Sequence, residues 1–131
     1  MLTLILGGVR SGKSRMAERL AADISDQIVY LATAEAKDVE MQERIALHQT
    51  HRPEHWKTIE EPIHLAKALF EYGTSENVVI VDCITLWITN LLLADERFKT
   101  GAEEIEALIM ELKRERRNLV LVSNETNSGV V

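Results

Sequence analysis

The stretch Gly7-Gly8-Val9-Arg10-Ser11-Gly12-Lys13-Ser14 constrains this chain more than any other. It satisfies the pattern G-x-x-x-x-G-K-[ST]. It lies between a short apolar run, Leu2 to Leu6, and a segment in which Met16, Leu20 and Ile24 recur at every fourth residue. A strand running into glycines and then into an amphipathic helix is the context in which such a loop cradles phosphate. Glycine permits backbone angles and a close approach that a Cβ obstructs. Successive N–H groups then form an anion nest at the positive end of a helix. Lys13 adds a cation for terminal phosphates, and Ser14 adds a hydroxyl for Mg²⁺, which favours oxygen ligands. The alternative is a glycine-rich turn with an incidental Lys-Ser. Motif and context together disfavour it.

The rest of the chain alternates two apolar periods. Ile28 to Thr33, Val78 to Asp82 and Leu119 to Val122 read as strands, with a shorter one at Trp56 to Glu60. Asp38 is placed to cap a second helix with the inner stripe Met41, Ile45 and His48, which Pro53 ends. Pro62 opens a third helix carrying Leu65, Leu69 and Phe70 and closing near Gly73. Thr85 to Ala94 is nearly apolar all round, so it predicts a well-buried helix. Ile105, Leu108, Ile109 and Leu112 stripe another. Continuous apolar strands interleaved with helices imply a parallel sheet covered on both faces. With the phosphate loop, this predicts one α/β domain over residues 1–131: a P-loop NTPase (RecA-like) three-layer sandwich with a mostly parallel central sheet. No closing helix follows Asn124 to Val131, which predicts that C-terminal elements are missing.

Composition narrows the function classes. The formal net charge is −6, from 15 Lys plus Arg and 21 Asp plus Glu, which argues against a broad nucleic-acid surface. Lys113-Arg114-Glu115-Arg116-Arg117 sits where cations offset a helix dipole, and no aromatics interleave. The single cysteine, Cys83, excludes an internal disulfide framework and fits a reducing cytoplasm. No basic leader precedes the first apolar run, and no uncharged apolar run reaches the length of a membrane span.

Two further features carry chemistry. Four aliphatic residues followed by Asp82 put a carboxylate at the carboxyl edge of the sheet, where ligands bind in open α/β folds. There it would hold Mg²⁺ directly or through water; the competing role is to cap the helix that begins near Thr85. All four histidines, His48, His51, His55 and His64, fall within one stretch. A metal site, a solvated loop and a nucleophile compete as explanations. Only the His48–His51 spacing favours metal, and no second cluster of ligands accompanies it. A neutral imidazole is a good nucleophile at phosphorus near neutral pH. His48 shares its stripe with Met41 and Ile45 and so is expected to face inward.

Several segments occur in a fixed order: the phosphate loop; Tyr30-Leu31-Ala32-Thr33; Glu40 to His48; Arg52-Pro53-Glu54-His55-Trp56-Lys57-Thr58-Ile59-Glu60; Asp82-Cys83-Ile84-Thr85 with Thr89-Asn90-Leu91-Leu92; and Ser123-Asn124-Glu125. Together they resemble the bifunctional adenosylcobinamide kinase/adenosylcobinamide-phosphate guanylyltransferases of cobalamin synthesis, over nearly the whole chain. The H-x-x-R-P-x-H-W and D-C-I-T-x-x-x-T-N-L-L segments make the resemblance specific. It implies phosphorylation of the aminopropanol hydroxyl of adenosylcobinamide by ATP or GTP. It also implies transfer of GMP from GTP to adenosylcobinamide phosphate through a covalent GMP–histidine.

The matching histidine is His48, with Lys13 as the second catalytic residue. Nucleotide contacts map onto Gly7 to Ser14 (Val9, Arg10, Ser11 and Gly12 included), Ala32, Thr33, Ala34, Gln49, Thr50, His51, Arg52, Glu60 and Asp82. Ser14 and Asp82 are the expected Mg²⁺ ligands, and a trimer is the expected assembly. Leu47 stands where some relatives carry a second histidine. Two other readings remain open: a different P-loop small-molecule kinase with His48 structural, and a nucleotide switch. The switch lacks the usual D-x-x-G and N-K-x-D signatures.

Overall fold

The computed structural model describes residues 1–8, 12–35, 39–50, 52–114 and 118–124; the side chains of Glu40, Met41, Arg44, Ile45, His48 and Gln49 fall outside the description. In chain order the elements are β1 (Leu2–Gly7), α1 (Lys13–Ile24), β2 (Ile28–Ala32), α2 (Val39–Thr50), β3 (Lys57–Glu60), α3 (Leu65–Tyr72), β4 (Val78–Asp82), α4 (Ile84–Ala94), α5 (Lys99–Leu112) and β5 (Asn118–Asn124). The strands form one sheet in the order β1-β5-β4-β2-β3. All four pairings are parallel. This is the α/β three-layer sandwich that the alternation of strands and helices predicts.

Period-two side-chain alternation divides the core in two. Ile5, Ile28, Tyr30, Ala32, Val78, Ile80, Val120 and Val122 pack with Ala17 and Ala21 of α1 on one face. Val29, Leu31, Val79, Val81, Leu119 and Leu121 pack on the other with α3, α4 and α5, through Leu65, Leu69, Trp87, Leu91 and Leu108. The central strands β2 and β4 are therefore apolar at nearly every position because both faces are covered.

Three expectations need correction. Helix α4 is not buried all round: Trp87 and Leu91, one turn apart, are buried, whereas Leu92 and Leu93 are 57% and 82% exposed. A helix on the outside of a sheet has one inward stripe, whatever the composition of the others. The covering of both faces also fails at the edge, where Leu2, Leu4 and Leu6 of β1 are 51%, 55% and 58% exposed. Third, α3 starts at Leu65 rather than at Pro62. The Glu61 carboxylate accepts from the N–H groups of Ile63 and His64. The carbonyls of Pro62 and Ile63 accept instead from Asn90 Nδ2 and Trp87 Nε1 of α4. With those groups engaged sideways, residues 62–64 make a turn.

Candidate active site at the carboxyl edge of the sheet

The carboxyl ends of β1, β5, β4 and β2 bring the predicted residues to one edge. Gly12 has φ 81°, ψ 13°, a left-handed conformation natural to glycine, and its carbonyl starts α1 by accepting from Met16 N–H at 3.1 Å. Among the described residues no side chain caps α1, and no acidic residue occupies its first turn. Its first N–H groups thus have no side-chain partner among the described residues, at the positive end of the helix dipole. Lys13 Nζ donates to the Gly8 carbonyl at 3.2 Å, which holds the cation over the same loop. Val9, Arg10 and Ser11 lie outside the described residues.

Asp82 ends β4 in register with Ala32, and Ile80 is in register with Tyr30. In-register neighbours share a face, so the Asp82 side chain turns toward α1. There its Oδ2 accepts from Ser14 Oγ at 3.2 Å and from the Tyr30 hydroxyl. The helix-cap alternative for Asp82 is not what the fold uses: the N-cap of α4 is Cys83, whose Sγ accepts from Leu86 N–H at 3.3 Å. Burial, and after it the adjacent Asp82 carboxylate, raise the Tyr30 phenol far above the ordinary tyrosine value. It is a constant hydrogen-bond donor at physiological pH.

Arg52 is only 8% exposed, and its guanidinium lies 3.6 Å from the Tyr30 ring centroid. Its Nε and Nη1 are buried without a hydrogen-bond partner among the described residues. Buried guanidinium N–H groups are nearly always paired, so these two are donors in want of an acceptor. Arg52, Tyr30, Asp82 and Ser14 thus form a connected chain from the turn after α2 to the phosphate loop.

The opposite parity carries the scaffold. Thr33 is wholly buried; its Oγ1 donates to the Cys83 carbonyl at 2.8 Å and accepts from Cys83 N–H at 2.9 Å. Thr33 N–H donates to the Asp82 carbonyl at 3.0 Å, and Asn90 Nδ2 donates to the Thr33 carbonyl at 2.9 Å. Thr85 Oγ1 accepts from Asn124 N–H and donates to the Asn124 carbonyl, both at 3.0 Å. Thr85 has one hydroxyl proton, so Ser123 Oγ is the donor in the 2.8 Å contact between the two hydroxyls.

The remaining predicted residues divide. Ala32 and Thr33 are buried at this edge, with Ala34 half-buried beside them. Glu60 ends β3 in register with Ala32 and is exposed. Thr50 ends α2, its Oγ1 donating to the Leu47 carbonyl at 2.6 Å. His48 and Gln49 belong to the last turn of α2, but their side chains, and His51 altogether, lie outside the described residues. So does Asp38. Among the described residues no group of three or more His, Cys, Asp or Glu is placed to hold a metal. His64 precedes α3 and pairs with Glu104 at 2.9 Å, a surface contact. Lys113 is the C-cap of α5 and Arg114 follows it, so the basic run begins beyond the last turn, which carries no basic residue, rather than within it; Arg114 lies near Glu111 and over the Phe70 ring, and residues 115–117 lie outside the description.

The sequence reading assigned no role to Tyr30. The signal was present, since Tyr30 is the one hydroxyl-bearing residue between Ile28 and Ala32 and shares the parity of Ala32.

A family model described as cobinamide kinase / cobinamide phosphate guanyltransferase matches residues 3–131. The chain belongs to this family. It is 51% identical over 131 residues to the bifunctional adenosylcobalamin biosynthesis protein CobP of Pseudomonas aeruginosa, covering all of this chain and 75% of the relative. It is 40% and 38% identical, over 143 residues each, to the bifunctional adenosylcobalamin biosynthesis proteins CobU of Escherichia coli and Salmonella typhimurium. In both cases all of this chain matches 78% of the relative. No helix among the described residues is long and apolar enough to cross a membrane.

Proposed function

We propose that this site carries out both reactions of the family: phosphorylation of adenosylcobinamide, and transfer of GMP from GTP to adenosylcobinamide phosphate. The observation that carries the reading is the Ser14–Asp82 contact of 3.2 Å, which joins the phosphate loop to the acidic end of β4. A hydroxyl and a carboxylate from two rigid elements are hard oxygen donors suited to Mg²⁺. Ser14 and Asp82 would hold it, and the ion would offset phosphate charge.

In the kinase step the substrate hydroxyl oxygen attacks the γ-phosphorus of ATP or GTP, its proton passes to water, and the bond to the β-phosphate oxygen breaks with release of the nucleoside diphosphate. The loop N–H groups and Lys13 stabilise the negative charge that develops. In the nucleotidyl step a ring nitrogen of His48 attacks the α-phosphorus of GTP, and pyrophosphate departs into the same cradle. A phosphate oxygen of the corrinoid then attacks the GMP phosphorus, the P–N bond breaks, and the imidazole is regenerated. Arg52 offers its two unpartnered N–H groups to phosphate oxygens. Glu60 accepts from guanine N–H groups. Ala32 to Ala34 and Gln49 to His51 complete the nucleotide contacts. The setting is the cytoplasm, and the assembly is a homotrimer, which light scattering in solution tests.

The deciding experiment is intact-protein and peptide mass spectrometry after incubation with GTP and Mg²⁺. The expected result is an added GMP on the peptide containing His48, lost in His48→Ala while GTP binding persists. Labelling that survives His48→Ala refutes the assignment, and absence of any adduct favours a plain P-loop kinase. Lys13→Ala is expected to slow both steps about 10²-fold or more, the scale of losing one charge-stabilising donor. Normal turnover in either step contradicts a shared cradle.

A further inference from the structure

We infer that Tyr30 is a positioning residue with two separable jobs: its hydroxyl fixes the orientation of the Asp82 carboxylate, and its ring carries the Arg52 guanidinium. The inference rests on the nucleotide-binding reading of the site and adds to it a residue outside the phosphate loop. Three observations converge. First, the Tyr30 hydroxyl and Ser14 Oγ both donate to the same oxygen of Asp82, Oδ2. Among the described residues no donor engages Oδ1, so the pair of hydroxyls aims one carboxylate oxygen outward. Second, a hydroxyl that coordinates a cation through its oxygen lone pairs still donates its proton, so Ser14 and Tyr30 both stay on Oδ2 when a metal binds, and Tyr30 is the donor of the two that does not itself bind the ion.

Third, the guanidinium carbon of Arg52 lies over the Tyr30 ring, 3.6 Å from its centroid, while Nε and Nη1 are buried and unpartnered among the described residues. A ring face stabilises the cation without using its N–H donors. Those donors are thereby kept for an oxyanion. Tyrosine is the side chain that supplies a face for one neighbour and a hydroxyl for the other. Ordinary core packing explains the burial of the ring. It does not explain a hydroxyl shared with Ser14 on one carboxylate oxygen.

The two jobs are separated by Tyr30→Phe, which keeps the face, and Tyr30→Leu, which removes both. GTP affinity is measured by calorimetry without metal, and the Mg²⁺ dependence of turnover is measured alongside. Tyr30→Phe is expected to leave metal-free GTP affinity within about twofold of the parent and to raise the half-saturating Mg²⁺ about tenfold, the scale of one hydrogen bond to a charged group. Tyr30→Leu is expected to show the same Mg²⁺ shift and an additional loss of about fivefold to tenfold in metal-free affinity. An unchanged Mg²⁺ requirement in Tyr30→Phe overturns the hydroxyl's job. Equal metal-free affinities in the two variants overturn the ring's job.

A measurement on the parent protein guards against a variant that does not fold. With ¹³C-labelled tyrosine, the Tyr30 Cζ resonance is expected to keep its hydrogen-bonded position when Mg²⁺ and GTP are added. Movement to the position of a water-exposed phenol overturns the inference. If the parent protein binds no GTP at all, the nucleotide reading itself fails, an outcome distinct from each of these.

Discussion

At the scale of the residue, the site depends on which of two neighbouring strand faces a side chain joins. Tyr30 and Asp82 share the α1 face and make the polar chain to Ser14, whereas Thr33, three residues after Tyr30, and Cys83, one after Asp82, face the other way and hold the strand ends together. Thr33 is the sharper test of the scaffold. Thr33→Val leaves the buried Cys83 N–H and carbonyl without their shared partner. It is expected to destabilise the fold by about 2–6 kcal/mol, at about 1–3 kcal/mol for each unpaired group. Thr33→Ser, which keeps the hydroxyl, is expected to cost about 1 kcal/mol. Urea denaturation of both variants checks this.

Tyr30 makes a pH-dependent contribution of its own. Its phenol is raised above the ordinary value of 10.0, so between that pH and the folded value the native state binds the proton that the unfolded chain releases. The stabilisation is whole below about pH 10 and is lost as pH climbs toward the folded value. The stability difference between the parent and Tyr30→Phe is therefore expected to be constant from pH 7 to 9 and to shrink above pH 10.

At the scale of the element, the limits of the helices are decided by side chains that claim backbone groups. Asp95 is the clearest case. Its Oδ1 accepts from Arg97 N–H at 3.0 Å, and its Oδ2 accepts from Lys99 and Thr100 N–H at 3.2 and 3.3 Å. These bonds, that from Arg97 foremost, hold its carboxyl below the usual 3.8. The contribution is present above that pH and fades as pH falls through the lowered value. Asp95→Ala is expected to lower the melting temperature at pH 7 and to remove part of the acid sensitivity that sets in as pH falls below about 4, read by thermal unfolding at each pH.

Such claims explain what the sequence could and could not reveal. Strands β2 and β4 were legible because central parallel strands are apolar throughout, and the start of α1 was legible because the G-x-x-x-x-G-K-[ST] spacing sets Gly12 immediately before it. The start of α3 was not, because the Glu61 carboxylate and the α4 donors Trp87 and Asn90 act across distances no local pattern records. Asp82 was found from its place after four aliphatics. Its hydroxyl partner Tyr30 depends on register between β2 and β4 and was passed over.

At the scale of the whole molecule, the two faces of the sheet are covered unequally. On the α1 face Ile5 of β1 is buried; on the other face the helices lie over the inner strands, and the alternate residues Leu2, Leu4 and Leu6 face solvent beyond them. Three leucines in line on an edge strand are an adhesive surface, because an edge also offers unpaired backbone groups. Replacing Leu2 and Leu4 together with threonine keeps a residue type that suits a strand while removing most of the apolar row. Both positions are exposed, so the double variant is expected to keep its stability to within about 0.5 kcal/mol per site. Its tendency to self-associate, followed by light scattering against concentration, is expected to fall. A loss of several kcal/mol would instead identify the row as part of a core. The edge row and the candidate site share β1, yet Gly7 lies at its carboxyl end while Leu2 and Leu4 lie toward its beginning. The GTP affinity of the double variant is accordingly expected to match the parent's, so that surface adhesion and nucleotide binding separate on one strand.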